Sequence, residues 1–311
     1  MEKVEGHIKT GREGLELRQR MRKHKTGYLM LAPWLLLFLA FTVIPVIVNL
    51  LLSFTYFNGL SLPKLVWFEN FRKLFIGDDL FYTALRNSLM IAVFTGPVAY
   101  IMCLIFAWFI NELPPVPRSV LTLIFYMPVL AGNMFMIWAL IFSGDVYGFL
   151  NSWLIGHGFI QEQILWLVNK DYTMPIIIVV QLWMSLGTGF LAFIAGLQGV
   201  DPVLYESGAI DGIKNRFQEL WFITLPMMRP VLVLGAVLQI TASLGSSQVA
   251  IALFGYTGGT DYAGYTLQSF MIDYGSTRME IGYVAAIATI LSFFMISLNK
   301  IIQRSLRKIG G

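Results

Sequence analysis

The chain has 311 residues, of which 57% are apolar and only 13% charged. Soluble domains carry about a quarter charged residues, so this balance places the chain among membrane proteins. One cysteine, Cys103, excludes a disulfide framework and a cysteine metal cluster, and the three scattered histidines (His7, His24, His157) make a histidine metal site improbable.

Residues 1–27 are a basic tail, too long and too charged for the opening of a signal peptide, so the first apolar run reads as a retained span. A spanning helix needs about 20 mainly apolar residues. Six runs qualify, at about 28–54, 87–110, 119–142, 174–197, 230–254 and 281–298, and none contains Asp, Glu, Lys, Arg or His. The expected fold is therefore all-α, a polytopic bundle of six transmembrane helices over residues 28–311. Sixteen of the 22 Lys and Arg fall on the side that holds both termini. That side is expected to be cytoplasmic, because basic residues concentrate in cytoplasmic loops. The net charge of +4 is then a topology signal, and it needs no nucleic acid to explain it.

The outer loops at 55–86 and 143–173 carry Trp67, Phe68, Phe71, Tyr147, Trp153 and Trp166. They read either as an aromatic belt at the bilayer interface or as a docking face for an extracytoplasmic partner. The basic tail suits anionic lipid headgroups.

Ion-driven transporters keep ionisable residues in their spans for work; these spans have none. Their polar groups include Asn133, Gln181, Ser185, Gln239, Ser243, Ser246 and Gln248, which suit a neutral polyol and relay no protons. Energy is expected to enter from outside the bilayer. The fifth run, GAVLQITASLGSSQVAIALF, is rich in small and hydroxylated residues. These serve helix packing, or line a path, and Gly245 with Ser246 and Ser247 favours a kink. Trp138 and Trp183 are candidates for stacking on sugar faces, with plain packing as the simpler role. An intramembrane enzyme would need a nucleophile and base at mid-membrane, and no apolar run holds His or Asp, so no catalytic residue is expected.

Residues 199–226 form a polar insert between the fourth and fifth runs. Asp201-Pro202 is a helix-start signal, and Val203, Glu206 and Ile210 share a helical face. Asp211-Gly212 offers a left-handed stop, and a second helix is expected over 214–223 before Leu225-Pro226. Composition alone also allows a solvated loop.

The run ESGAIDG, 206–212, followed by ITLP, 223–226, resembles the "EAA" motif. That motif marks permease subunits of binding-protein-dependent ATP-binding-cassette importers. Glu206, Gly212, Ile223, Leu225 and Pro226 match it in type. Ser207 and Gly208 stand where the pattern has alanines, and ten residues rather than about nine separate Gly212 from Ile223. Gly208 weakens a helix by about 1 kcal/mol relative to Ala. YLMLAPWLLLFLAFTVIPVIVNLLLSF, WFENFRKLF and TGGTDYAGYTL are similar to the larger permease of maltose- or glycerol-phosphate-type sugar importers.

The resemblance implies a type I importer permease of a bacterial or archaeal cytoplasmic membrane, with no cofactor of its own. It implies a second, paralogous permease, two ATPase subunits that bind ATP and Mg, and an extracytoplasmic solute-binding protein. The solute is expected to be a sugar or oligosaccharide, with glycerol phosphate or a polyol as the alternative within the family. Glu206, Ser207, Gly208, Ala209, Asp211, Gly212, Arg216 and Pro226 are the residues it assigns to coupling with the ATPase.

Overall fold

The computed structural model describes residues 25–308, apart from 133, 245 and 246. Most of the basic tail, and the path candidates Asn133 and Ser246 with the kink residue Gly245, lie outside the described residues.

Among the described residues, five helices are long and apolar enough to cross a membrane: Lys25–Leu52, Asp79–Asn111, Lys170–Gln198, Arg229–Phe254 and Ile281–Arg304. The expected third span is present in two pieces, Pro115–Leu130 and Met136–Ile141, each too short to cross alone. Several helices outrun their apolar limits, because a helix stops at its cap and not where hydropathy falls. The second begins at Asp79, since Asp78 caps it by accepting from the amides of Leu80 and Phe81. The sixth runs on to Lys308. The fold is all-α as expected, with a small antiparallel pair, Thr55–Tyr56 with Lys64–Leu65, at the end of the molecule away from the insert.

Spans two, four and five form the centre of the bundle. Phe190 and Phe193 of the fourth span are fully buried beside Cys103, Ala107 and Met228. The first span stands outside, its described side chains exposed or half-buried, and it meets the sixth through Asn49. The Asn49 amide donates to Ala285 O at 3.4 Å and Thr289 Oγ1 at 3.3 Å. Such interhelical bonds in lipid contribute about 0.6 kcal/mol each.

Three spans are interrupted midway. The third breaks between Leu130 and Met136, the fourth between Ser185 and Thr188, and the fifth at Ser247, which is non-helical just before Gln248. At the fourth break, a Cβ on Gly187 would lie 2.1 Å from Val129 Cγ2, so only glycine lets the third and fourth spans approach there. The freed carbonyls of Ser185 and Leu186 accept from the Cys103 thiol, at 3.7 and 3.6 Å. Open backbone at membrane depth is tolerated where protein or a cavity satisfies it.

Away from the insert, a polar cluster pins the loops. Asp78, 7% exposed, takes four hydrogen bonds, two from its own helix start and two from the phenols of Tyr274 (2.7 Å) and Tyr283 (3.0 Å). The Arg278 guanidinium lies 4.0 Å over the Tyr274 ring. Burial, and then the hydrogen bond to Asp78, push the Tyr274 phenol well above its usual range, so it remains a donor at neutral pH. Asn151, fully buried, plays the same part for the loop after the third span. Its amide donates to Asp145 O and Ile164 O, and its carbonyl accepts from the Trp166 indole.

Candidate functional site

The polar insert folds as two short helices around a tight turn. Asp201 accepts from the Val203 amide at 3.0 Å, and Pro202, at the first helical position, loses no bond. The helix runs Pro202–Ile210, and Val203, Glu206 and Ile210 form an exposed face, Ile210 at 87%. At its end the Ile213 amide donates to Gly208 O (2.9 Å) and the Gly212 amide to Ala209 O (3.3 Å). This bond pair defines a Schellman turn, and Gly212 supplies its left-handed residue at φ +97°.

Gly208 has a packing reason as well as a propensity cost. It is the buried residue of this helix, and a Cβ there would lie 2.6 Å from Ile223 Cδ1 and 3.1 Å from Ile213 Cδ1. Its missing side chain lets the two helices of the insert close on each other.

The second helix departs from the expected 214–223. It starts at Arg216, where Asn215 caps by accepting from the Gln218 amide, while Gln218 Oε1 reaches back to the Lys214 amide at 2.8 Å. After Glu219 it becomes a π turn, Leu220–Thr224. A π turn holds more residues than an α turn, which absorbs the tenth residue between Gly212 and Ile223. The Glu219 carbonyl accepts from Thr224 Oγ1 at 3.2 Å, and Tyr205 OH meets that same hydroxyl at 3.0 Å. The first helix is thereby clipped to the segment that enters the fifth span, in which Pro226 is half-buried.

Arg216 sits between the insert and the bundle. Its guanidinium pairs with Glu112 at the end of the second span (3.3 Å) and with Glu219 (2.7 Å). Beside it, Phe217 meets Trp108 edge to face at 5.4 Å. A polar cavity of about 550 Å³ lies behind these contacts, lined by Trp108, Asn111, Arg118, Gln198 and Tyr205 among others. The remaining coupling candidates, Glu206, Ser207, Ala209, Asp211 and Gly212, are exposed. Ser207 returns its hydroxyl to Val203 O at 2.8 Å.

The path candidates fall into separate groups. Trp138 and Trp183 meet edge to face at 5.7 Å, both half-buried. Gln181, 7% exposed, donates to Ser185 Oγ at 3.3 Å beside the fourth break. Gln239 and Ser243 line a cavity of about 440 Å³ with Leu89, Tyr100, Phe294 and other mostly apolar residues of spans two, five and six. Gln239 is 2% exposed and its Nε2 has no partner among the described residues. Gln248 is exposed. The third and fourth breaks were not anticipated from sequence, although Ala131-Gly132 and Gly187-Thr188-Gly189 interrupt those runs. Tyr205 and Thr224 were not anticipated either.

A helical membrane bundle with a clipped helix–turn–helix between its fourth and fifth spans fits the permease class that the motif at 206–226 resembles. Residues 104–309 match the family of binding-protein-dependent transport system inner membrane components, and the chain belongs to it. It is therefore a membrane component of a binding-protein-dependent transport system. Among its relatives is the arabinooligosaccharides transport system permease protein AraP of Bacillus subtilis (strain 168). That protein is 30% identical over 86% of this chain and 84% of its own length. The lactose transport system permease protein LacF of Rhizobium radiobacter is 29% identical over 75% and 76%. In fold the chain is similar to a crystal structure of a bacterial ABC transporter involved in import of the acidic polysaccharide alginate. There the TM-score is 0.76 and the identity 22%, covering 95% of this chain and all of that one.

Proposed function

We propose that this chain, with a second permease, forms the path for a neutral sugar or oligosaccharide handed over by an extracytoplasmic solute-binding protein. The insert is the part that receives the work of two ATPase subunits, which bind the ATP and Mg. The observation that carries this reading is the clipped insert itself: an exposed face on a capped helix, held rigidly to the fifth span through Tyr205 and Thr224. Glu206, Ser207, Ala209 and Asp211 present that face to the ATPase. Gly208 and Gly212 set its shape, Arg216 fixes it to the second span, and Pro226 fixes its entry to the fifth.

The insert and both termini lie on the cytoplasmic side, in line with the excess of Lys and Arg there. A neutral solute suits spans whose apolar runs carry no charge, and the names of the sugar-transporting relatives support a sugar or oligosaccharide. Trp138 and Trp183 offer aromatic faces to it, while Gln181, Gln239, Ser243 and Gln248 offer hydrogen bonds.

The test is uptake into proteoliposomes holding both permeases and the ATPase, with the cognate binding protein and labelled arabinotriose or lactose outside. ATP-dependent uptake of either, lost in Gly212→Val with membrane insertion intact, is the expected result. Uptake that proceeds without ATP would overturn the assignment.

A further inference from the structure

The segment between the turn and the fifth span carries an aromatic face that the described residues leave open. Phe217 is 73% exposed, Trp221 69% and Phe222 65%. Two landmarks fix the depth of this face. Phe217 packs on Trp108, three residues before the second span ends at Asn111, and Arg229 opens the fifth span. The rings therefore lie level with the ends of two spans, where hydrocarbon gives way to headgroups.

The face also continues a surface of the bundle. Phe94, Val98, Ile101, Ile105 and Phe109, spaced three or four residues apart on the second span, are all exposed. That stripe ends beside Trp108, whose ring stacks on Phe109 at 5.1 Å. Charge divides the insert in the same sense. The acidic Glu206 and Asp211 are on the first helix and its turn, while exposed Lys214 is next to the aromatic face. Glu219 does not oppose this, because Arg216 pairs with it.

We infer that Phe217, Trp221 and Phe222 anchor the insert in the headgroup–acyl boundary of the cytoplasmic leaflet, with Lys214 set against anionic headgroups. Rings with one apolar side and one wet edge are enriched at this depth, and a lysine near an anionic surface contributes about 1 kcal/mol. The leaflet assignment rests on the cytoplasmic placement of the insert proposed above. Lipid then sets the depth at which the insert, moving as one piece, meets the ATPase.

The test uses the whole transporter in nanodiscs, with p-benzoylphenylalanine placed at 221 or at 206. Photolysis at 221 is expected to give phospholipid adducts by mass spectrometry, and at 206 adducts with the ATPase. Adducts from 221 to the ATPase or the second permease, or none while 206 crosslinks, would overturn the anchor. Lipid adducts at 221 without ATPase adducts at 206 would support the anchor and overturn the coupling assignment; no adduct at either position would overturn both. As a second measure, Lys214→Gln should cut the yield of lipid adduct at 221 about fivefold in phosphatidylglycerol-containing discs and leave it unchanged in pure phosphatidylcholine. An equal yield in both discs would overturn the electrostatic part.

Discussion

Gly212 offers a clean perturbation, because a Cβ added there would meet nothing within 4 Å. Any effect of substitution must come from the backbone, held at φ +97°. A non-glycine residue in left-handed space costs about 1–2 kcal/mol, and a β-branched one more, about 2–3 kcal/mol. The chain can escape that strain only by opening the turn. Opening forfeits the bonds from Ile213 and Gly212 to the carbonyls of Gly208 and Ala209, each worth about 0.5–1.5 kcal/mol. By either route Gly212→Val loses about 2–3 kcal/mol, so the ratio of correctly capped to open insert falls about 30- to 150-fold. Asn tolerates the left-handed region better than Ala. Uptake in proteoliposomes, and retention of the ATPase by the purified complex, should therefore rank Gly, Asn, Ala, Val. Wild-type uptake and retention in Gly212→Val at equal membrane levels would refute the reasoning, and so would an Asn variant weaker than Val.

Gln239→Leu removes a buried donor with no partner, a group that costs about 1–3 kcal/mol when left unpaired; its thermal midpoint should hold or rise while uptake falls. A drop in midpoint would show that Nε2 has a structural role. Arg216→Glu places a third acid beside Glu112 and Glu219 and should lower uptake; Arg216→Glu with Glu112→Arg should restore part of it. The energy at stake is small, about 0–1 kcal/mol for a pair this exposed, so rescue in the paired variant is the telling measurement. Asp78→Asn turns an amide toward two phenol donors and should cost about 2–4 kcal/mol of stability, read by thermal unfolding in detergent. The same cluster has a pH signature. The Tyr274 phenol titrates higher when folded than when unfolded, so its contribution is complete below about pH 10 and is lost as pH climbs through the folded value.

Sequence was most informative where a boundary is made locally. Asp201-Pro202 and Asp211-Gly212 mark both ends of the first insert helix because a cap and a left-handed stop are properties of a few adjacent residues. Apolar runs located the spans for a similar reason, since lipid exposure imposes a length on each. The same measure missed the start of the second helix, where Asp78 caps ahead of the apolar run. It also missed the broken third and fourth spans, since hydropathy counts side chains and ignores where backbone bonds stop. Gly208 shows the other kind of limit. Read along the chain it is a poor helix former, whereas its value lies in contact with Ile223, fifteen residues away. The π turn belongs with it, because its register is settled by Tyr205 meeting Thr224.

How a push on the insert becomes an opening of the path follows from where the bundle is stiff and where it is not. The insert reaches the fifth span through the π turn and the second through Arg216–Glu112 and Phe217–Trp108. The second span is one uninterrupted helix from Asp79 to Asn111, so displacement at its insert end travels its whole length. The fifth is interrupted at Ser247, and the third and fourth are interrupted as well. In those three, the halves near the insert can turn while the far halves stay pinned by contacts such as those around Asn151. On the coupling proposed above, one stroke would have two outputs: a rigid lever along the second span, and a rotation of half-spans about mid-membrane breaks, with Gln181 at the fourth break and Gln239 and Ser243 near the fifth. Bridging the fourth break should separate them. Gly187→Ala would force apart the contact with Val129, and this variant should keep the ATPase bound and still lose uptake. Normal uptake in Gly187→Ala would mean that the breaks do not move, and that the second span carries the stroke alone.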